Sequence, residues 1–369
     1  MTIRKYHMNK ITLLNRMFKE RNSSESTRIT YWRSVNFFEK LTGKGIIEML
    51  EIAETEEENN IRWKNCQLRK WLIKYREWCY KKYKIRTAKL YVTAIITLFR
   101  HYEVTVEHLP YFSTTNAKPS IPINPDLLVD RDILKLCIDT SNPLLRAVTL
   151  LMSSSGLSRV DTLNLTIEDW LKATGYNRLE DVPDDLVPTW ELRRQKTGNH
   201  YYTFNSPEAT NAINKYLLTR KDLTLDSPLF EVDNRYFNEL FKIRNDELGL
   251  GKNGQYSRFA PHMLRRYQAT QLIEAGMSVD KVDLIQGRKP KGIAYNSYIK
   301  IRPSKLREEY IQCLPYIVIE DYQKVKTELD IVKEENKTLK EKNDDLEDIK
   351  KRLLALESDR PTWDQIKNK

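Results

Sequence analysis

Apolar and polar positions along this 369-residue chain alternate mostly with the period of a helix. In SESTRITYWRSVNFFEKL (Ser24 to Leu41), NCQLRKWLIKYREWCYKKY (Asn65 to Tyr83) and TAKLYVTAIITLFRHY (Thr87 to Tyr102), aliphatic and aromatic residues recur every three or four positions with Lys and Arg between them. These predict a small bundle whose aromatics form the core and whose basic face is left to solvent. Upstream, KITLLNRMFKER predicts a short amphipathic basic helix within the first 22 residues. The acidic run Glu54 to Glu58 predicts a solvated loop. YFSTTNAKPSIPINPD, with Pro119, Pro122 and Pro125 and few large apolar residues, predicts an extended linker.

The pattern changes in LVPTWELRRQKTGNHYYTFNSPEA, where alternating and aromatic residues flank Gly198 and Asn199 and predict a β-hairpin. Helical spacing then returns. Pro261 suits a first turn and Gly276 the residue past the end, so PHMLRRYQATQLIEAG predicts a helix with Leu264, Leu272 and Ile273 toward a core. A second short helix is expected from Ser278, an N-cap residue, to Gly287. Near the C-terminus, Tyr322, Leu329, Asn336, Asn343 and Lys350 alternate with Val325, Val332, Leu339, Leu346 and Leu353 in three-four spacing. That is a coiled-coil seam, in which asparagines cost stability but favour one register. It either pairs protomers, recruits another protein, or remains a lone charged helix.

Charge sharpens this outline. The net charge is +11, and residues 1–120 carry all of it, with 23 basic and 12 acidic side chains against 39 of each in the remainder. A polyanionic partner is expected, gripped mainly by the N-terminal third, with binding that weakens steeply with salt. Cys66, Cys79, Cys137 and Cys313 have no C-x-x-C spacing, which argues against a zinc site or disulfide framework and for a reducing compartment. No apolar run approaches a membrane span, so a soluble cytoplasmic protein is expected. Gly249, Gly251 and Gly254 satisfy G-x-G-x-x-G formally, but they follow a helical segment rather than a strand, so a dinucleotide site is set aside.

The chemistry-bearing residues cluster late in the chain. Two predicted helix ends deliver His262, Arg265 and Arg288 to one neighbourhood, with Tyr295 and Tyr298 just beyond. Arginine forks suit the non-bridging oxygens of a five-coordinate phosphate transition state, and a tyrosine phenol can attack phosphorus if flanking cations favour its phenolate. A two-metal nuclease would need convergent carboxylates. Asp161 and Asp169 are expected instead to cap helices and orient neighbours.

The segment from His262 to Tyr298 resembles the C-terminal signature of the tyrosine recombinases, the phage-integrase family, through His262, Leu264, Arg265, Ala269, Thr270, Leu272, Gly276 and Gly287. The family's usual His after that Gly is Arg288 here, as in an archaeal or phage-like variant. SSSGLSRVDTLNLTIEDW is similar to the family's upstream box through Gly156, Leu163, Leu165 and Asp169. In that frame Ser158 occupies the usual arginine position and Arg159 falls one residue later. The resemblance implies Tyr298 as nucleophile with Tyr295 as second choice. It implies Arg159, Arg265 and Arg288 as phosphate ligands, His262 as proton carrier, and hairpin Lys196 as donor to the departing 5′ oxygen. Arg193, Arg194, Arg266 and Lys289 are expected DNA contacts.

The expected architecture is a mainly α protein with a small β-sheet (α+β), a two-domain DNA clamp with an appended coil. The boundaries are 1–22 (basic arm), 23–112 (helical core-binding domain), 113–126 (linker), 127–316 (catalytic domain), 317–358 (coiled coil) and 359–369 (tail). The family resemblance implies cleavage and rejoining of double-stranded DNA through a 3′-phosphotyrosine, without cofactor, metal or ATP. It further implies a homotetramer on DNA, an accessory directionality protein, and integration or excision of a phage or mobile element. Two other classes stay open: a DNA-binding architectural protein that lost catalysis with the shifted Arg159, and a coil-based scaffold anchored on DNA.

Overall fold

The computed structural model describes residues 9–115, 122–289 and 302–320. Tyr295, Tyr298 and the heptad positions from Tyr322 to Leu353 lie outside them. The chain divides into two compact units, Met1–Pro122 and Ile123–Lys369.

Five helices build the first unit: α1 (Lys10–Glu20), α2 (Glu25–Thr42), α3 (Ile46–Glu58), α4 (Gln67–Lys82) and α5 (Ile85–His101). Their apolar stripes converge. Leu13, Leu14, Met17 and Phe18 make α1 part of this core, and Phe38, Tyr75 and Phe99 fill its centre. The Phe38 ring lies 5.0 Å from that of Tyr75 and 6.2 Å from that of Phe99, both edge-on. Each fully buried side chain of this size contributes on the order of 1.5–3 kcal/mol. Two tyrosines also satisfy backbone acceptors, the Tyr75 hydroxyl donating to the Ser34 carbonyl and that of Tyr102 to Leu13.

The acidic run is a correction, because Glu54 to Glu58 form the last turns of α3 rather than a loop. The apolar residues ahead of them decide this: Ile46, Met49, Leu50 and Ala53 follow the i, i+3, i+4, i+7 pattern and are buried. The carboxylates are then placed to receive backbone donors. Glu56 accepts the Gln67 N–H at the start of α4, and Glu57 accepts that of Thr105.

The second unit is also mainly helical, with α6 (Arg131–Asp139), α7 (Pro143–Ser155), α8 (Arg159–Leu163), α9 (Ile167–Thr174), α10 (Pro207–Leu217), α11 (Asn234–Glu247), α12 (Pro261–Glu274), α13 (Val279–Ile285) and α14 (Pro303–Ile317). Two antiparallel hairpins complete it among the described residues. In one, β1 (Thr189–Arg193) pairs with β2 (His200–Phe204), with Arg193 opposite His200. In the other, β3 (Lys252–Asn253) pairs with β4 (Tyr256–Ser257). This second hairpin was not expected from the sequence; its two-residue turn is Gly254-Gln255, with Gly254 at φ +65°, a first turn position that favours glycine. Its buried Asn253 exchanges two hydrogen bonds with Asn124.

The apolar middle of α7 packs against α10 and α12. Trp170, Trp190, Phe230, Phe237, Phe241 and Phe259 fill the main core, and Phe204 stacks at a tilt on fully buried Tyr310 of α14. The α12 and α13 boundaries agree with the expected caps, and Gly276 and Gly287 both take positive φ just past the helix ends. Ile273 differs from expectation: it is 44 % exposed, while Leu264 and Leu272 are fully buried. At 100° per residue Ile273 lies diametrically opposite Leu264, so one apolar stripe cannot include both.

The packed body also continues past residue 316, where the coil was expected to begin. Ile317, Val318 and Ile319 are buried. The Arg131 guanidinium donates to the carbonyls of Pro315, Tyr316 and Val318, while the Glu208 carboxylate accepts the Ile319 and Glu320 N–H groups. A chain ending at Tyr316 is therefore expected to lose about 5 kcal/mol or more from three buried aliphatic side chains alone. A chain ending at Glu320 keeps all of these contacts and should melt well above the one ending at Tyr316. Paired thermal melts of the two truncations check this.

Candidate active site

The site is assembled from the ends of α7, α8, α12 and α13, the β1–β2 loop and one side chain of α11. Helix α7 stops at Ser155 because Gly156 turns left-handed at φ +66°. Ser158 then caps α8: its hydroxyl donates to Asp161 Oδ2 at 2.7 Å and accepts the Asp161 N–H. Arg159 is thereby the first residue of α8, and its guanidinium donates to Asn238 Oδ1 of α11 at 2.8 Å. Asn238 was not legible as a site residue, since nothing in its sequence context distinguishes it from any other polar position on a helix.

Opposite Arg159 stands the start of α12. Arg159, His262 and Arg265 line one cleft of about 300 Å³, together with Ser158, Asn238 and Pro261. His262 rests edge-on against Tyr256, with ring centroids 4.2 Å apart. Partial desolvation, and then the Arg266 cation, lower the pKa of this exposed imidazole, which favours its neutral, proton-accepting form.

Arg265 is 8 % exposed and held at both ends of its fork, donating to the Gly156 carbonyl at 2.6 Å and the Gln286 carbonyl at 2.5 Å. Burial, followed by repulsion from Arg288 and Arg194, brings its pKa down to about 10, against opposing pulls from Tyr201 and Asp161. The guanidinium remains charged at neutral pH. A site whose cations repel one another in this way gains when an anion enters.

The β1–β2 hairpin reaches the same neighbourhood. Asp161 Oδ1 accepts the backbone N–H of Gln195 at 3.0 Å, tying the hairpin loop to the α8 start. Lys196 follows directly and is exposed. Arg194 donates to the Gly287 carbonyl at 3.1 Å, and Arg193 to the Gly198 carbonyl within its own turn. Buried Tyr201 packs against Gly287 so closely that a Cβ there would lie 2.8 Å from its ring. Arg288 is half exposed and paired with Asp283 at 3.3 Å, while Arg266 and Lys289 are exposed.

Asp161 and Asp169 serve as caps and braces, Asp169 closing a capping box with Thr166. Among the described residues no group of three or more His, Cys, Asp or Glu side chains is placed to hold a metal ion, and no helix is long and apolar enough to cross a membrane.

No family model and no curated protein matches this chain. Solved structures do. Residues 75–356 of lambda integrase, a dimer bound to a core site, align over 80% of this chain and 99% of that one, at 16% identity and a TM-score of 0.50. The chain has the tyrosine recombinase fold. XerA recombinase aligns over 82% of this chain and 96% of its own at 18% identity and a TM-score of 0.35. Tn1549 transposon integrase with circular intermediate DNA aligns over 81% and 97% at 16% identity and 0.43.

Gly156 is the tightest point of the site. A Cβ there would sit 2.5 Å from Gln268 Oε1, and Gln268 is fully buried and has nowhere to go. Gly156→Ala is expected to cost about 2–4 kcal/mol, from left-handed backbone strain plus overpacking. A urea midpoint indistinguishable from wild type would refute it.

Proposed function

We propose that this protein is a site-specific tyrosine recombinase of the integrase kind, acting on double-stranded DNA. The observation that carries this reading is the convergence of Arg159, His262 and Arg265 on one cleft, in a chain with the recombinase fold. Residues about 100 apart in sequence meet there with the chemistry that phosphoryl transfer needs: fixed cationic donors and a neutral proton acceptor.

In this reading Tyr298 attacks the scissile phosphate. A phosphorus–oxygen bond forms to the phenol oxygen, the bond to the 5′ oxygen breaks, and a 3′-phosphotyrosine and a free 5′ hydroxyl result. Arg159, Arg265 and Arg288 hold the non-bridging oxygens. His262 takes up the phenol proton, and Lys196, on the loop anchored through Gln195, protonates the departing oxygen. Attack by a partner strand's 5′ hydroxyl reverses the chemistry and completes recombination. Since the phosphotyrosine conserves the energy of the broken bond, neither ATP nor metal is required.

The basic first unit supplies the main grip on phosphate, with helices α1–α5 together as the core-binding domain and residues 127 onward as the catalytic domain. Arg193, Arg194, Arg266 and Lys289 add contacts along the backbone. Four protomers on two duplexes, an accessory directionality protein, and integration or excision of a phage or mobile element complete the proposal.

Nicked suicide duplexes drawn from DNA flanking the protein's own gene, incubated in EDTA and run on a denaturing gel, test it. An SDS-resistant protein–DNA adduct is the expected result. Tight binding to cleavable sites without adduct would instead make the protein a DNA-binding architectural factor.

A further inference from the structure

Behind Arg265 lie two side-chain amides that the reaction does not use. Gln268 of α12 and Gln286 at the end of α13 are 0% and 1% exposed. Gln286 Nε2 donates to Gln268 Oε1 at 2.7 Å and to the backbone carbonyl of Arg265 at 3.0 Å. The main-chain carbonyl of Gln286, in turn, accepts from the Arg265 guanidinium. One residue thus grips Arg265 at both its backbone and its head, and the second amide fixes the gripping side chain. Gly156, whose carbonyl takes the other prong of the fork, packs directly against both amides.

Two buried amides, whose Gln268 Nε2 and Gln286 Oε1 have no partner, are costly compared with a pair of leucines unless their remaining hydrogen bonds do something leucines cannot. Here the bonds join α12, α13 and the end of α7 at the residue that must be aimed. We propose that Gln268 and Gln286 form a positioning pair that locks the Arg265 guanidinium toward the cleft. Two of its five N–H groups are engaged by Gly156 and Gln286, and the pair keeps the rest aligned for a phosphate. The catalytic consequence rests on the recombinase reading; the locking itself does not.

The test uses full-length Gln286→Leu and the double variant Gln268→Leu/Gln286→Leu. The single change strands the buried Gln268 Oε1 and should lower stability, whereas replacing both amides by apolar groups removes that orphan and should largely restore it. The first readout is the NMR order parameter of the Arg265 Nε–H, assigned with Arg265→Lys. It should fall from a rigid value to below about 0.6 in both variants. The second is the single-turnover rate of adduct formation at saturating DNA, expected to drop at least about tenfold in both variants with DNA affinity unchanged. An Arg265 Nε–H as ordered in the double variant as in wild type overturns the proposal, as does a double variant that recovers rate together with stability. Absence of adduct in the wild type rejects the recombinase reading alone, because the order parameter still decides whether the amides lock Arg265.

Discussion

Tyr298→Phe is expected to abolish covalent DNA capture, a loss of at least about 10³-fold, while duplex affinity stays within about twofold of wild type. The phenol oxygen is the only atom removed, and under the proposed mechanism it is the atom that becomes bonded to phosphorus. Water acting in its place would hydrolyse the phosphodiester and leave no adduct. Affinity is spared under the same proposal, because most of the binding energy would come from cations along the phosphate backbone, in a unit that holds the chain's entire net charge. Tyr295→Phe should behave as wild type. Quantifying adducts on denaturing gels for both variants, beside filter-binding affinities, checks the assignment, and an adduct that survives in Tyr298→Phe but vanishes in Tyr295→Phe moves the nucleophile to Tyr295.

Arg265→Lys should slow adduct formation by about 10²–10³-fold even though the charge is kept. The guanidinium bridges two carbonyls on different elements, Gly156 at the end of α7 and Gln286 at the end of α13. A lysine ammonium is a single point on a shorter stem and cannot span both while also facing the cleft. At least one carbonyl is then left buried without a donor, which costs about 1–3 kcal/mol. Both effects are measurable on one preparation: single-turnover adduct rates at saturating DNA, and the urea midpoint. A rate within about fivefold of wild type would remove Arg265 from the phosphate-holding role.

Parts of this site were readable in the sequence for identifiable reasons. Pro261, Gly276, Ser278 and Gly287 punctuate two helices, and backbone geometry restricts where those residue types fit, so the positions of His262, Arg265 and Arg288 on helix ends followed directly. The hairpin around Gly198 was legible for the same reason. The acidic end of α3 was misread because a run of like charges looks solvated whether helical or not, and only the buried Ile46, Met49, Leu50 and Ala53 ahead of it settle the matter. Ile273 was misread because its apolar character says nothing about its angle around α12.

The sequence by itself determined the mainly helical class, the concentration of positive charge in the first third, and the residue types available for phosphate chemistry. These depend on local conformational preference and on composition, which the chain carries in any environment. Tertiary structure alone decided that Arg159, displaced by one residue from its expected place, meets His262 and Arg265 at a single cleft, that Asn238 holds it there, and that Asp161 ties the Lys196 loop to the same helix start. It also decided that two glutamines, unremarked in the pattern, close around Arg265. Such contacts join positions between 18 and 109 residues apart, whose pairing is set by how whole helices pack and not by any periodicity along the chain.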